Sequence, residues 1–398
     1  MDSFIYEREN SMEFGEYSNL TWFSNFSIMI KNASTQLRNF SPRQSNGLLD
    51  LAETLDTYYV PILIALGVIF NVTLVVTIRK TDLKKVPACF CFMSLGIIDT
   101  LYLIAMWIPW MSKKTIDIYN TRGFCQLTYY MNILTAFLSS WYVVIILVER
   151  FFTTYDHKRA SKLFSTLRTK CYVTIFSIFS LVAHLYLTWT SGVYTFNNTQ
   201  HCMVIFEHWE DITIMRKIDI VFSFILPVTM CFAISTAIIF AITFGWGKNS
   251  DSETKSQLQG KRVILKLSEN DSDTSRKCST VLDISEQDKK RKIRETSNSR
   301  QLTITCLILA FVYVLLTAPH NILKTKITFS ENEYDVTVHE SMYLQILEKI
   351  YALNYAYKAA VYFIFLPEVR YKFVHLVIKS GKVLLRRQTQ EKTQSTVL

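Results

Sequence analysis

Seven stretches of the chain are apolar almost without interruption: 57–79, 87–111, 124–152, 171–191, 214–244, 302–326 and 343–366. A helix rises about 1.5 Å per residue, so about 20 apolar residues cross the roughly 30 Å of hydrocarbon in a bilayer. Each stretch is long enough, and the pattern predicts seven membrane-spanning helices. The third opens on Cys125 and closes on Glu149-Arg150-Phe151, with a cysteine at one end and a charged pair at the other. Residues 1–56 are polar, and 245–300 is rich in Ser, Lys, Asp and Glu, with a basic run at Lys289, Lys290, Arg291, Lys292 and Arg294. Such composition predicts a flexible loop whose ends prolong the fifth and sixth helices. Beyond the seventh stretch, Pro367-Glu368 begins a segment that sets Phe373, Val374 and Val377 against Lys372, His375 and Lys379. Proline suits a first helical turn, and the two-sided pattern suits the membrane interface. The predicted fold is an all-α membrane protein: a seven-transmembrane helix bundle with a short amphipathic interfacial helix after the seventh span. Its parts are a tail over 1–56, the bundle over 57–366 and the interfacial helix and tail over 367–398.

Half of the residues are hydrophobic, with only 10 glycines and 7 prolines in 398 positions, which fits a membrane bundle better than a soluble domain. The net charge of +10 raises the question of nucleic acid, but its distribution answers otherwise. Basic residues gather at Arg79, Lys80, Lys84 and Lys85, at Lys158, Arg159, Lys162, Arg168 and Lys170, through 248–300, and from Arg370 to Arg387. These are alternate loops on one side of the bundle, so the positive-inside rule puts them in the cytoplasm and the N-terminus outside. The expected location is the plasma membrane, multi-pass, with lipid rather than nucleic acid as the surrounding partner.

The N-terminal segment agrees with that orientation. Met1–Phe14 carries no basic leader followed by an apolar core, so the first span is expected to serve as the insertion signal. Four glycosylation sequons begin at Asn19, Asn25, Asn32 and Asn39, and a fifth at Asn197 falls in another loop assigned outside. Asn71 and Asn270 also head sequons but fall within the membrane and the cytoplasm. Of eight cysteines only Cys125 and Cys202 take outside positions, where an oxidising compartment joins them. Cys89-Phe90-Cys91 is too short and isolated for a metal site, and no metal or cofactor is implied. No His-Glu-x-x-His, Gly-x-Ser-x-Gly or paired catalytic aspartate appears, which argues against an enzyme. A transporter would favour internal repeats and broken helices, and an odd number of spans with the N-terminus outside suits it poorly.

Taken together, these residues resemble the rhodopsin-like (class A) G-protein-coupled receptors over roughly 57–380. Asn71 is similar to the first-helix asparagine, and Leu95 with Asp99 to the second-helix Leu-x-x-x-Asp. Cys125 and Cys202 resemble the family disulfide. Glu149-Arg150-Phe151 resembles the Asp/Glu-Arg-Tyr motif at the family interval from Cys125. Pro227 and Pro319 match the fifth- and sixth-helix prolines, while Asn354, Tyr362 and Pro367-Glu368 match the seventh helix and its turn. The resemblance implies that Glu149 pairs with Arg150 at rest and that Arg150, once freed, contacts a heterotrimeric G protein. It implies bending at Pro227 and Pro319, each of which removes a backbone hydrogen bond. The coupling surface would be the loops around Arg150, Lys162 and Lys289–Arg294. Ser285, Thr296, Thr389 and Thr393 offer phosphorylation sites for arrestin or are ordinary loop residues. The terminal Ser395-Thr396-Val397-Leu398 fits capture by a PDZ domain.

Departures from the family pattern matter as well. Leu316-Thr317-Ala318-Pro319 lacks the sixth-helix tryptophan, and Lys358-Ala359-Ala360-Val361-Tyr362 replaces Asn-Pro-x-x-Tyr. The fourth span has no mid-helix tryptophan. Ser235 stands where the fifth helix commonly has tyrosine. Ser299 takes the place of the sixth-helix acid, with Glu295 a turn away. In typical members the second-helix aspartate binds sodium among polar neighbours. Here Asp99, Ser139 and Asn354 remain, but Lys358 replaces a neutral neighbour. Intramembrane charges seek partners, so Lys358 is expected to reach Asp99; the alternative sends it down to cytoplasmic water.

For the ligand, the family pattern implies a pocket of Asn132, Arg216, Asp219, His320, Lys324 and Glu348. Asn132 occupies the place of the aminergic aspartate, which disfavours a monoamine. Ala352 occupies the place of the retinal lysine, with Lys349 and Lys358 displaced from it, which disfavours light sensing. The long second outer loop, Ser191 to Asp211, resembles the hairpin of peptide receptors. Glu210, Asp211, Asp219 and Glu348 can meet a ligand arginine, so an Arg-containing neuropeptide is expected. Arg216 and Lys324 offer those acids internal partners instead. A receptor for a non-peptide small molecule, a non-signalling receptor and a transporter are the alternatives.

Overall fold

The computed structural model describes residues 45–196, 199–244, 275–330 and 338–379. Asn19, Asn25, Asn32, Asn39, Asn197, Thr389, Thr393 and the terminal Thr396-Val397-Leu398 lie outside those residues. Among the described residues, six helices are long and apolar enough to cross a membrane: Gly47–Lys80, Pro87–Lys114, Phe124–Tyr155, Thr166–Thr190, Glu210–Thr243 and Ser297–Thr328. The seventh crossing is divided into Val338–Ala352, a 3-10 turn at Leu353–Tyr355, and Tyr357–Phe365. The expected unbroken span over 343–366 is therefore corrected. Fifteen residues cover only about 22 Å, so both pieces are needed to cross.

Several ends differ from those expected. The first helix begins at Ser45 rather than 57 and passes through a π-turn at Leu55–Tyr59, so the last part of the expected tail is helical. The fourth begins at Thr166, where the Ser165 hydroxyl accepts from the Arg168 amide, 3.4 Å away, and caps the first turn. The fifth starts at Trp209, which moves Glu210 and Asp211 from the outer loop into a first helical turn. Carboxylates there complement the positive end of the helix dipole. The sixth helix runs from Ser275 to Thr328, 54 residues, and extends well beyond any bilayer at its Ser275 end.

The third helix is the hub. It opens at Gly123, whose φ of 90° suits only glycine, and the Gln126 side chain reaches back to the Gly123 amide at 2.7 Å. Tyr130 donates to the Leu181 carbonyl at 2.9 Å, and Tyr142 meets the Ser177 hydroxyl at 2.6 Å, tying the third helix to the fourth. Leu134, Leu138, Val143, Ile146 and Leu147 fill the core between helices. Towards the fifth helix the third repairs a specific defect. Val221–Ile225 is a π-turn in which the Leu226 amide bonds the Val221 carbonyl. The next amide in that register belongs to Pro227, which has no hydrogen to give. The orphaned Phe222 carbonyl instead accepts from the Trp141 indole at 3.0 Å.

Large apolar side chains also face outward around the bundle. Phe179, Ile175, Phe232 and Phe311 are each about two-thirds exposed, which water would penalise and lipid does not. After Leu366, helix 367–379 buries Val369 in the bundle core and sets Phe373 edge-on to Phe363 at 5.6 Å. At the opposite end an antiparallel hairpin joins β1 (Ser191–Phe196) to β2 (Thr199–Val204), with Val193 paired to Cys202.

Gly67 sets the distance between the first helix and the broken seventh. A Cβ there would lie 2.9 Å from the Ala356 Cβ and 2.6 Å from the Leu103 Cδ1. Gly67→Ala should lower stability by about 1–3 kcal/mol through overpacking. Gly47→Ala, with nothing within 4 Å, should be neutral or stabilise by up to about 1 kcal/mol. Thermal midpoints of the purified protein compare the two.

Candidate functional site

Polar side chains inside the bundle fall into three levels. At mid-height the second, third and seventh helices bring together Asp99, Ser139 and Lys358, all essentially inaccessible. The Lys358 ammonium lies 3.1 and 3.2 Å from the two Asp99 oxygens and 2.6 Å from the Ser139 oxygen. Ser139 gives its own proton to Asp99 at 2.7 Å, so it accepts from the lysine while donating to the aspartate. Nζ also sits 5.0 Å from the centre of the Tyr355 ring, within cation–π range. Asn71 donates to the Tyr355 carbonyl at 2.9 Å, satisfying a group that the 3-10 turn leaves over. Tyr102 stacks on Tyr355 at 3.5 Å. Asn354 is buried beside them, but its amide bonds none of the described residues.

Nearer the Ser275 end of the sixth helix, Glu149 and Arg150 are buried together. The Arg150 Nε donates to Glu149 at 2.5 Å, and its Nη2 bonds the other carboxylate oxygen. The Thr153 hydroxyl packs onto the Glu149 carbonyl at 2.7 Å. Tyr362 lies with its ring 4.2 Å from Phe92, and its hydroxyl has no partner among the described residues. Pro319 is inside the sixth helix, and Pro227 follows the π-turn of the fifth. Ser299 is half-buried, and its carbonyl accepts from Thr303 at 3.1 Å.

The hairpin end is built on the Cys125–Cys202 disulfide, with a Cα–Cα distance of 5.5 Å. A second tie runs from the Cys202 amide to the Asn120 side chain at 2.9 Å. Asn120 in turn donates to Asp117 at 2.9 Å, and Ser112 also bonds Asp117. Partial burial opposes the charge of Asp117, but these hydrogen bonds outweigh it and hold the carboxyl below its usual range. His201 nearby is held below the usual imidazole value by burial, against the pull of Asp117.

Of the expected pocket residues, Arg216 and Asp219 stand one turn apart on the fifth helix, and both act electrostatically on Tyr129 and Tyr186. Asp219 accepts from Ser223 at 2.5 Å. His320 is buried and stacked on Tyr351 at 4.8 Å, within the field of Lys324. Its Nδ1 has no partner among the described residues. Glu348 is half-buried and acts on Tyr102, Tyr119 and Tyr351. Asn132 is half-buried on the third helix. Glu210 and Asp211 face outward, and Asp211 meets His208 at 4.0 Å.

One cluster was not anticipated from the sequence. Asp56, in the π-turn of the first helix, pairs with Lys349 of the seventh at 3.0 Å and with Lys113 of the second at 3.9 Å. Its carbonyl accepts from the Trp110 indole at 2.7 Å, and Lys114 donates to Thr57 at 3.1 Å. The available signal was the charge of Asp56 at the very edge of an apolar run. A boundary drawn at 57 set it aside as tail.

The family model described as 7 transmembrane receptor (rhodopsin family) matches residues 71–356. Among curated proteins none matches the chain.

Asp56→Asn leaves two lysines facing a neutral amide and should cost about 1.5–3 kcal/mol, the range for hydrogen bonds to charged groups. Glu53→Gln, exposed and less than one turn earlier, should change stability by less than about 0.5 kcal/mol. Equal midpoints for the two variants would remove the clamp from the account.

Proposed function

The chain belongs to the rhodopsin family of seven-transmembrane receptors, and from that premise we propose that it is a plasma-membrane receptor for an extracellular peptide, signalling through a heterotrimeric G protein. The hairpin end is the outside, with the sequons of the N-terminal tail, and the Arg150 end faces the cytoplasm. The observation that carries the peptide reading is the strapped hairpin of the second outer loop. Cys202 is held both to the third helix and to Asn120, which makes β1 and β2 a fixed rim rather than a loose loop. A rim of that kind offers an extended segment a lasting surface, and Asp219 and Glu348 supply carboxylates for a basic side chain. Glu210 and Asp211 take a lesser part, since they face outward from a first helical turn.

Transmission then follows from an equilibrium between two arrangements of the bundle, biased by a ligand that binds one of them more tightly. In the resting arrangement Glu149 holds Arg150. In the active one Arg150 is released to a G protein, together with the loop around Lys162 and the extended sixth helix carrying Lys289–Arg294. Phosphorylation at Ser285, Thr296, Thr389 and Thr393 would recruit arrestin, and Thr396-Val397-Leu398 would take a PDZ domain. A second reading rests on the buried His320–Tyr351 stack, whose unpartnered Nδ1 suits a hydrogen bond to a compact non-peptide ligand.

A peptide-library screen on cells expressing the chain, read by calcium and cyclic AMP, tests the assignment. Arg-containing peptides should be agonists, and Asp219→Asn or Glu348→Gln should lower their potency about tenfold to a hundredfold, as loss of a charge-assisted bond does. Arg150→Ala should retain peptide binding and lose nucleotide exchange. Activation by small molecules alone, sensitive to His320→Ala, would favour the second reading. Binding without exchange in the unaltered chain would indicate a non-signalling receptor.

A further inference from the structure

A sodium site centred on the second-helix aspartate is what family resemblance implies, and the residues present here do not fit one. The oxygens such an ion would use are the two of Asp99 and that of Ser139. All three already lie 2.6–3.2 Å from the Lys358 ammonium. The Ser139 proton is committed to Asp99, and the remaining side of the ammonium faces the Tyr355 ring. Asp99 and Ser139 are fully buried and Lys358 is 1% exposed. A metal ion added to this site would place a second positive charge against a single carboxylate, in a medium that screens repulsion poorly. The other course open to Lys358, extension towards the Arg150 end, is not taken.

We propose that Lys358 is a built-in cation: its ammonium permanently fills the position that a diffusible sodium ion would take, and the protein has no sodium-dependent allosteric state. The consequence is mechanical as well as ionic. A free ion couples helices only while bound, whereas this one is attached to the seventh helix just beyond its 3-10 turn. Separation of the charge from Asp99 therefore requires displacement of Tyr357–Phe365 or of the lysine stem, not exchange with solvent. The lysine is itself a departure from the family pattern. At 358 it stands where an uncharged asparagine is usual, and the proline that normally follows is Ala359.

The test needs neither ligand nor G protein, so failure of the receptor reading would leave it unaffected. The full chain is purified into lipid nanodiscs, and its thermal midpoint is measured in sodium chloride and in N-methyl-glucamine chloride at equal ionic strength. The unaltered protein should unfold at the same temperature in both. Lys358→Asn should open the site and gain a sodium-selective rise of about 3 °C, as a weakly bound ion gives by mass action. Asp99→Asn/Lys358→Asn should lose that rise. Should Lys358→Asn not accumulate, Asp99→Asn and the double variant decide. The single change strands an ammonium and should unfold at a lower temperature than the double change, which removes both charges. Sodium-selective stabilisation of the unaltered protein, abolished by Asp99→Asn, overturns the proposal. So does a double variant whose loss exceeds that of Asp99→Asn.

Discussion

Hydrocarbon offers no hydrogen bonds, so every backbone group that leaves helical register inside the membrane must find a partner within the protein. The bundle departs from register at three places where the partner can be named. In the first helix the π-turn and Pro61 leave the Asp56 carbonyl to the Trp110 indole. In the fifth helix the π-turn and Pro227 leave the Phe222 carbonyl to the Trp141 indole. In the seventh the 3-10 turn leaves the Tyr355 carbonyl to the Asn71 amide. All three repairs come from a neighbouring helix, so each break is also a point of attachment. The first helix can supply Asn71 only because Gly67, one turn earlier, lets it lie against Ala356. Irregular backbone here is thus a product of packing between helices, and it fixes which helices touch.

Charge follows the same rule of mutual satisfaction. Three carboxylates within the bundle are matched by cations: half-buried Asp56 by Lys349 and Lys113, and buried Asp99 and Glu149 by Lys358 and Arg150. Such pairs add little to stability against an apolar alternative, but removing one member is expensive. Their effect is therefore to specify arrangement. The first two pairs both end on the seventh helix, one on each side of its 3-10 turn. The upper piece is held through Lys349 to Asp56 of the first helix, which Lys113 of the second also meets, and the lower piece to the second and third through Lys358. Glu149 and Arg150 differ in being neighbours in sequence on one helix. Their pairing holds no second helix, and it can break without any helix losing a charged attachment to another.

The legible part of this architecture was the part that local composition controls. Apolar runs reveal all seven crossings, and Cys125, Cys202, Glu149, Arg150 and the prolines stand out by residue type. Lys358 was conspicuous because a lysine in an apolar run demands a partner, and Asp99 was the available carboxylate. The break in the seventh helix was not legible, since no proline or glycine occurs between Val338 and Phe365 to mark it. Its cause is tertiary: Asn71, Tyr102 and Gly67 act on Tyr355 and Ala356 from two other helices. Helix ends were misplaced for a related reason. Ser45–Thr54 and Glu210–Asp211 are polar, so a hydropathy boundary excludes them, whereas helical hydrogen bonding continues past the edge of the lipid.

Two of the missing family features, a tryptophan where Thr317 stands and a proline where Ala359 stands, bear on how the outer and inner ends communicate. Aromatic contact here passes from His320 to Tyr351 and Tyr355, and from Tyr355 to Tyr102. Tyr355 is also the ring beside the Lys358 ammonium. The seventh helix thus carries a continuous series of contacts from an expected pocket residue to the central ion pair. Contiguity by itself does not establish coupling; a segment with two arrangements is required. Leu353–Ala356 is the natural candidate, because it is irregular without a proline to lock it. Its hydrogen bond and stacking come from other helices. A ligand that shifted Tyr351 would act on this turn before it acted on the sixth helix, where the Thr317 hydroxyl bonds carbonyls of its own helix. In this protein the weight of transmission would accordingly move from the sixth helix to the seventh, with the tethered ammonium setting how far the lower piece can travel.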